Sequence, residues 1–214
     1  MVIDEPWYEK LEDRYGTEFC YKAGYFDETQ PFNHRYSDYF DLPEDSTVIL
    51  YPGAFFPFHG GHLECLRNAI RGIIPVKPLV VVLLCDHTEY LRKKDAEYPI
   101  QDARDTIENL LGPLGIKYVT IFEDLIENNC SRNFTRLYQE LLDNDNDVTF
   151  LFGGDHGNYA LTTIDEGKTI ISGRDPHPNY QKYKYLDKAR NCAITFVPGN
   201  NTLSSTKIRN GNVS

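Results

Sequence analysis

Two histidines three residues apart are the side chains in this sequence best suited to bind an anion. His59 and His62 lie in the segment TVILYPGAFFPFHGGHLEC, which spans residues 47–65. The segment opens with an apolar, β-branched run that predicts a buried strand, and apolar residues at three- and four-residue steps after His62 predict an amphipathic helix. Both histidines would then share one face at the start of this helix, where unpaired backbone N–H groups and the helix dipole attract negative charge. The alternative is an ordinary strand-to-helix turn with two solvated histidines.

Glycines next to the histidines would let a ligand reach the main chain. Gly53, Gly60 and Gly61 have no side chain, so an anionic ligand can approach the backbone closely at these positions. Together with the imidazole N–H groups, they give this loop the composition of an anion-binding site.

A second group of polar side chains suited to phosphate lies near the end of the chain. Ser204, Ser205 and Thr206 lead into a predicted short helix that carries Lys207 and Arg209. Hydroxyl groups and free N–H groups at a helix start bind phosphate oxygens, and the planar arginine side chain adds two parallel donors. Taken by itself, the same run is a common helix N-cap, so its interpretation depends on the rest of the chain.

Strand and helix patterns alternate between these two groups. Residues 165–168 have the composition of a turn. The alternation predicts an α/β fold with a parallel, doubly wound sheet, in which right-handed crossovers bring the loops after the first and fourth strands to the same edge. Besides the first strand and helix, the patterns predict strands at residues 78–86, 119–122, 147–152, 169–172 and 192–197, and helices at residues 101–111 and 134–142.

The composition restricts the class of protein. The 214 residues carry a net charge of −10, which argues against a general nucleic-acid surface because such a surface needs clustered Lys and Arg. The five cysteines are scattered without metal-ligand spacing, no run reaches the length of a membrane span, and the N-terminus lacks the apolar core of a signal peptide. We therefore expect a cytoplasmic protein without a dedicated metal site and without nucleic-acid or membrane partners.

Residues 1–45 differ from the rest of the chain. They contain twelve Asp and Glu against four Lys and Arg, which accounts for −8 of the net charge of −10, and they hold eleven of the 28 aromatic residues. So many aromatic side chains argue against simple disorder. We expect an acidic, aromatic-rich N-terminal extension ahead of a main domain at residues 46–214. It would pack on that domain or on a second subunit of a homo-oligomer.

Both polar groups match known motifs. The run GAFFPFHGGHLE resembles the G-x-F-x-P-x-H-x-G-H signature of the nucleotidylyltransferase superfamily, and PFHGGHLE is most similar to nicotinamide mononucleotide adenylyltransferases of archaeal type. The run LSSTKIR resembles the ISSTxIR motif of the same enzymes, with Leu203 in place of isoleucine. The joint presence of the two motifs in this order is a much more specific signal than either alone, and the resemblance spans residues 46–211.

The resemblance implies a Rossmann-like fold and a reaction. ATP and nicotinamide or nicotinate mononucleotide would give NAD or its deamido form and pyrophosphate, with Mg²⁺ held mainly by the phosphate oxygens of ATP. It implies that His59, His62 and Arg209 are the catalytic residues. Arg104 is a weaker candidate for a phosphate contact, with a surface ion pair as the alternative. The residues implied in nucleotide binding are Gly53, Ala54, Phe55, Gly61, Gly153, Asp155, Ser204, Ser205, Thr206 and Lys207.

Other acceptors and other classes of protein stay open at this point. Flavin mononucleotide and phosphopantetheine adenylyltransferases share the fold and much of the first motif. A fragment of a class I aminoacyl-tRNA synthetase would need a KMSKS-type loop and a basic anticodon-binding part, and neither is visible in the sequence. A non-catalytic nucleotide sensor of the same fold would not need to retain His59, His62 and Arg209.

Overall fold

Strands and helices alternate along the part of the chain that the structure describes. The computed structural model describes residues 35–38, 40–55, 57–85, 100–122, 134–157, 166–173, 183, 186 and 191–199. In chain order the elements are β1 (Thr47–Gly53), α1 (Gly60–Gly72), β2 (Leu79–Cys85), α2 (Ile100–Leu111), β3 (Lys117–Phe122), α3 (Phe134–Asp143), β4 (Asp147–Gly153), β5 (Glu166–Ser172) and β6 (Asn191–Val197), with short 3₁₀ helices at Tyr36–Asp38 and Gly112–Leu114.

The six strands form one parallel sheet in the order β3-β2-β1-β4-β5-β6. The chain builds the sheet outward from β1 to β3 and then returns to the other side of β1 with β4. Strand β2 is a continuous apolar run in which every residue after Leu79 is buried, as expected for a strand covered on both faces. This is the doubly wound α/β fold that the sequence predicts.

Helices cover both faces of this sheet. Because successive side chains along a strand point to opposite faces, Ile49 and Tyr51 pack with α1 and α2, whereas Val48 and Leu50 pack with α3. In each helix, buried residues recur at three- and four-residue steps, so the apolar stripe lies against the sheet. These buried residues include Leu63, Leu66 and Ala69 in α1, Ala103, Ile107 and Leu111 in α2, and Leu137 and Leu141 in α3.

A buried carboxylate on α3 holds the segment that precedes β1. Glu140 is 5% exposed, and its two carboxylate oxygens accept the backbone N–H groups of Tyr36 and Ser37 at 3.0 and 3.1 Å. The Tyr36 side chain joins the apolar cluster between α3 and the sheet. Residues 35–38 therefore pack on the main domain.

A buried amide holds the next part of the same segment. Asn146 lies between α3 and β4 and accepts the N–H of Ser46 at 2.9 Å. Its amide nitrogen donates to the carbonyls of Pro43 at 2.7 Å and Leu141 at 2.8 Å. One side chain thus joins the end of α3 to the residues that lead into β1.

A lysine near the amino edge of the sheet connects three loops. The Lys77 ammonium group donates to the Asp45 carboxylate at 2.8 Å and to the backbone carbonyl of Asp145 at 2.6 Å. The hydrogen bond with Asp45 raises the pKa of Lys77 above its ordinary value of 10.5. This contact stabilises the approach of the N-terminal segment to β1.

The strands and helices predicted for the described residues are all present, with ends that differ by at most three residues. One local prediction is wrong, because residues 166–168 begin β5 instead of forming a turn. Gly167 and Lys168 pair with Cys192 and Ala193 of β6, and this ladder outweighs the local turn preference. Gly167 has φ 112°, which glycine adopts without strain. Residues 1–34 of the predicted extension and the predicted C-terminal helix lie outside the described residues.

Candidate active site

The candidate site lies at the carboxyl edge of the sheet, where β1 and β4 separate. The parallel pairing of these two strands ends with Leu50 opposite Phe150. By contrast, β1 stays paired with β2 as far as Gly53, and β4 with β5 as far as Gly153. In open α/β sheets, ligands bind outside the carboxyl ends of the strands at the point where the strand order reverses, which here is between β1 and β4.

His59 is the N-cap residue of α1. Its backbone is extended, with φ −143° and ψ 172°, and its carbonyl accepts the first helical hydrogen bond from Leu63. The Nδ1 atom of its ring accepts the N–H of Gly61 at 3.0 Å. His59 is only 7% exposed, so it is not a solvated turn histidine. The imidazole does here what Ser, Thr, Asp or Asn does at most helix starts.

His62 completes the cap from the third helical position. Its Nδ1 atom accepts the N–H of His59 at 3.3 Å, in the manner of a capping box, and the two imidazole rings stack with centroids 3.8 Å apart at 24°. A ring nitrogen that accepts a hydrogen bond carries no proton, so each neutral imidazole carries its proton on Nε2. The pair therefore brings two N–H-bearing imidazoles to a helix N-terminus, a combination of residue types that favours an anion.

Three aromatic rings surround the imidazole of His62. Its centroid lies 5.1 Å from that of Phe55 at 89°, 5.3 Å from that of Phe58 at 35°, and 6.3 Å from that of Tyr51 at 74°. Phe55 and Phe58 are 2% exposed and Tyr51 is 4% exposed, so these rings belong to the core. We call Tyr51, Phe55 and Phe58 the aromatic cage of His62. The sequence pattern did not predict it, and the high density of aromatics in YPGAFFPFH is the signal that could have suggested it.

Phe55 has a backbone conformation that residues with a side chain rarely adopt. Its φ is 51°, in the left-handed region, which costs on the order of 1–3 kcal/mol for a bulky residue. A Cβ atom at Gly53 would lie 2.8 Å from the Phe55 Cε1 and Cζ atoms, so the ring requires glycine there. Both residues were predicted to bind the nucleotide. Because the Phe55 ring is buried, only its main chain is available for such a contact.

The GGDHG turn follows β4 at the same edge of the sheet. Two backbone hydrogen bonds hold this turn in place. The N–H of His156 donates to the Gly153 carbonyl at 2.9 Å, and the N–H of Gly154 donates to the Ser172 carbonyl of β5 at 2.7 Å. The Asp155 carboxylate is about half exposed and lies 4.0 Å from the Nε2 atom of His156. A Cβ atom at Gly153 would lie 2.8 Å from Asp155 Oδ1, so this glycine makes room for the carboxylate.

A buried tyrosine, Tyr183, packs against this turn and donates a hydrogen bond to it. The Tyr183 hydroxyl donates to the Gly154 carbonyl at 3.3 Å, and its ring packs on Phe196 of β6 with centroids 5.0 Å apart. A Cβ atom at Gly157 would overlap the Tyr183 ring, so the end of the turn and the tyrosine fit closely. Tyr183 lies in a tyrosine-rich stretch without periodicity, which is why the sequence did not single it out.

The predicted site residues fall into three sets. The histidine loop and the GGDHG turn lie at the carboxyl ends of the neighbouring strands β1 and β4. Arg104 lies on the exposed side of α2. The third set lies outside the described residues and its roles stay predictions; it consists of Ser204, Ser205, Thr206, Lys207 and Arg209.

Two further observations concern metals and membranes. Within the described residues, no three His, Cys, Asp or Glu side chains lie close enough together to hold a metal ion. Among the helices of that same part of the chain, none is long and apolar enough to cross a membrane.

Comparison with known proteins gave matches at the level of structure. The chain is similar to Plasmodium falciparum nicotinic acid mononucleotide adenylyltransferase complexed with APC, with a TM-score of 0.52 and 17% identity over 77% of this chain and 83% of that chain. The chain shares its fold with that enzyme. For the same enzyme complexed with NaAD, the TM-score is 0.51 at 18% identity, over 77% of this chain and 82% of that chain. No family model and no curated protein matched the sequence. The fold implied by the motif resemblance is thus confirmed.

Proposed function

We propose that the protein is an adenylyltransferase that joins ATP to nicotinate or nicotinamide mononucleotide and releases pyrophosphate. The observation that carries the proposal is the histidine pair of α1. Two backbone hydrogen bonds hold both rings with Nδ1 as the acceptor, so each neutral imidazole carries its proton on Nε2, and the pair lies at the edge where β1 and β4 separate. Phosphate groups are the ligands that such donors and a helix N-terminus suit best.

In the proposed reaction, a phosphate oxygen of the mononucleotide attacks the α-phosphorus of ATP. The new bond joins that oxygen to the α-phosphorus, the bond from the α-phosphorus to the bridging oxygen of the β-phosphate breaks, and pyrophosphate leaves with the electron pair. Negative charge grows on the non-bridging and leaving oxygens in the transition state, so fixed donors accelerate the step without forming a covalent intermediate.

The two histidines would divide this work unequally. His59 is 7% exposed, whereas His62 is partly exposed and lies one turn into α1. We assign to His62 the direct hydrogen bond to the α-phosphate region, and to His59 a supporting donor that also holds the backbone of the loop. Replacement of His62 is therefore expected to lower kcat more than replacement of His59 by asparagine, which keeps an N-cap acceptor.

The C-terminal motif would bind the other end of the triphosphate. Arg209 offers two parallel donors to the β- and γ-phosphates, and the hydroxyls of Ser205 and Thr206 add weaker ones, with Lys207 as a further cation. These contacts hold the leaving group in the ground state as well as the transition state. Arg209→Ala is thus expected to raise the KM for ATP more than it lowers kcat.

Mg²⁺ is expected to accompany ATP. This ion prefers to keep waters and to bind substrate phosphates over a dedicated protein cage, so it would need few ligands from the protein. Bound in that way, the ion neutralises part of the triphosphate charge. Asp155 at the GGDHG turn is the exposed carboxylate of the site and would orient a ribose hydroxyl or an ion-bound water.

Two observations support the choice of acceptor. The sequence PFHGGHLE with LSSTKIR is most similar to the nicotinamide mononucleotide enzymes, and the solved structures that the fold matches are of a nicotinic acid mononucleotide adenylyltransferase, one of them bound to NaAD. The structural match, at 17–18% identity, supports the fold, so the choice of acceptor rests mainly on the two motifs.

The proposal is tested by incubating the protein with ATP, Mg²⁺ and one acceptor at a time. The acceptors are nicotinate mononucleotide, nicotinamide mononucleotide, flavin mononucleotide and phosphopantetheine, and pyrophosphate release is measured. We expect release with one or both pyridine mononucleotides and none with the other two. Release only with flavin mononucleotide or phosphopantetheine would move the protein to another adenylyltransferase class. ATP binding without release for any acceptor would identify a nucleotide sensor.

A further inference from the structure

We propose that the Phe55 side chain is a positioning residue for His62, and that it acts on the reaction only through the orientation of that imidazole. The proposal rests on the phosphate-binding role assigned above to His62. The Phe55 ring is buried and so offers almost no surface to a ligand, which means that its contribution would come through packing.

The hydrogen bond that orients His62 needs support from packing. The distance from the His59 nitrogen to His62 Nδ1 is 3.3 Å, at the long end of the range for N–H···N contacts, whereas the corresponding bond to His59 Nδ1 is 3.0 Å. A hydrogen bond of this length does not by itself fix the His62 ring about both of its side-chain torsions, χ1 and χ2. The stack on His59 restrains one face of the His62 ring, and a contact from another direction adds to that restraint.

Phe55 provides that contact. Its ring lies perpendicular to the imidazole at 89°, with centroids 5.1 Å apart, and also meets Tyr51 edge to face at 5.0 Å and Phe58 at 5.5 Å. Perpendicular packing blocks rotation of the imidazole in the direction that the parallel stack leaves open. The three rings are themselves buried, so the surrounding core holds them in place and they in turn restrain the imidazole.

The backbone conformation of Phe55 supports the same conclusion. A left-handed φ of 51° is unfavourable for an aromatic residue, and such strain persists when the surroundings require the side chain in one place. The close fit between Gly53 and the Phe55 ring supports this conclusion too. At Gly53, any Cβ atom would lie 2.8 Å from two atoms of the Phe55 ring, so the space at the end of β1 is reserved for that ring.

Kinetics of two variants test the proposal. Phe55→Leu removes the ring, whereas Gly53→Ala displaces it and leaves all three aromatic residues in the sequence, because a Cβ atom at Gly53 would lie 2.8 Å from two atoms of the Phe55 ring. Both are expected to lower kcat by about 10- to 100-fold, as small misplacements of a catalytic group do, while the KM for ATP changes by less than about threefold. The matched control is Phe150→Leu, because Phe150 is equally buried but packs on the other face of the sheet, away from His62.

A spectroscopic measurement tests the orientation of the ring directly and does not depend on any activity. The chain has six histidines, so the imidazole nitrogen resonances can be assigned with His59→Asn and His62→Ala variants. In the unsubstituted protein at mildly alkaline pH, His62 should show a protonated Nε2 and an unprotonated Nδ1. In Phe55→Leu we expect averaged shifts from both tautomers, whereas Phe150→Leu should retain the original pattern.

The outcomes separate this proposal from the proposed function. An unchanged His62 spectrum in Phe55→Leu overturns the positioning role, whatever the activity. An unchanged kcat in both Phe55→Leu and Gly53→Ala also overturns it. If the unsubstituted protein releases no pyrophosphate with any acceptor but Phe55→Leu still shifts the His62 tautomer, the reaction is wrong and the positioning of the imidazole stands.

Discussion

Replacing His62 by alanine removes two separable contributions, a hydrogen bond acceptor that caps α1 and a donor that we assign to phosphate. The structure allows the two to be measured apart. Loss of a side-chain cap costs about 1 kcal/mol. In a chain of this size, about 1 kcal/mol lowers Tm by roughly 2–4 °C. We therefore expect His62→Ala to lower Tm by that amount and to lower kcat by about 10²–10³-fold, as the loss of one transition-state donor does.

His62→Glu provides the matched comparison. Glutamate at the third helical position returns a hydrogen bond to the N-cap N–H, and its negative charge suits the helix N-terminus. It restores the cap but provides no donor, and it repels phosphate. Both variants lose the packing of the imidazole, so we expect His62→Glu to have a higher Tm than His62→Ala by the contribution of the cap, together with a kcat at least as low as that of His62→Ala. The assays are calorimetry and pyrophosphate release under saturating ATP. A normal kcat in His62→Glu would refute the donor role, and an equal loss of Tm in both variants would refute the cap.

Three further predictions concern the supports of the site and the fold. Gly157→Ala places a methyl group in the Tyr183 ring and should lower the free energy of unfolding by about 1–3 kcal/mol in urea titrations; no loss would mean that the turn moves easily. Glu140→Gln replaces one of the two oxygens that accept backbone N–H groups, so it should lower the free energy of unfolding by roughly 1.5–3 kcal/mol and speed proteolysis before residue 46. Unchanged proteolysis would contradict the role of Glu140 in holding residues 36 and 37. Because Asp45 raises the pKa of Lys77 above 10.5, the stability from this pair is fully present below that pH and is lost above it. The Tm deficit of Lys77→Met should thus be constant from neutral pH upward and shrink beyond pH 10.5, and a deficit that persists there would contradict the pair.

The parallel sheet could be predicted because its signals are local and repeated. Runs such as LVVVLLC at Leu79–Cys85 allow little besides a strand covered on both faces, and the apolar spacing of α1 and α2 fixes which side of each helix meets the sheet. The start of β5 could not be predicted from the local sequence, because the partner strand that holds residues 166–168 in the ladder begins more than twenty residues later, at Asn191.

The candidate site was predictable in composition but not in its internal geometry. The sequence placed His59 and His62 on one face of a helix start, and the structure adds that their Nδ1 atoms cap the helix, an arrangement that histidine seldom supplies. A His-x-x-His pattern at the position of a capping box is the signal that could have revealed it. The anchors Glu140 and Asn146 had no local signal, because their main partners lie about a hundred residues earlier in the chain.

The hydrogen bonds of Asn146 set a practical limit for shortened versions of this protein. A version that began at Thr47 would retain all six strands yet strip the buried amide of two partners, the N–H of Ser46 and the carbonyl of Pro43. Unsatisfied buried polar groups cost about 1–3 kcal/mol each, so such a trimmed chain would express poorly even though its sheet is complete. A cut ahead of Arg35 would preserve both partners and the segment that carries them.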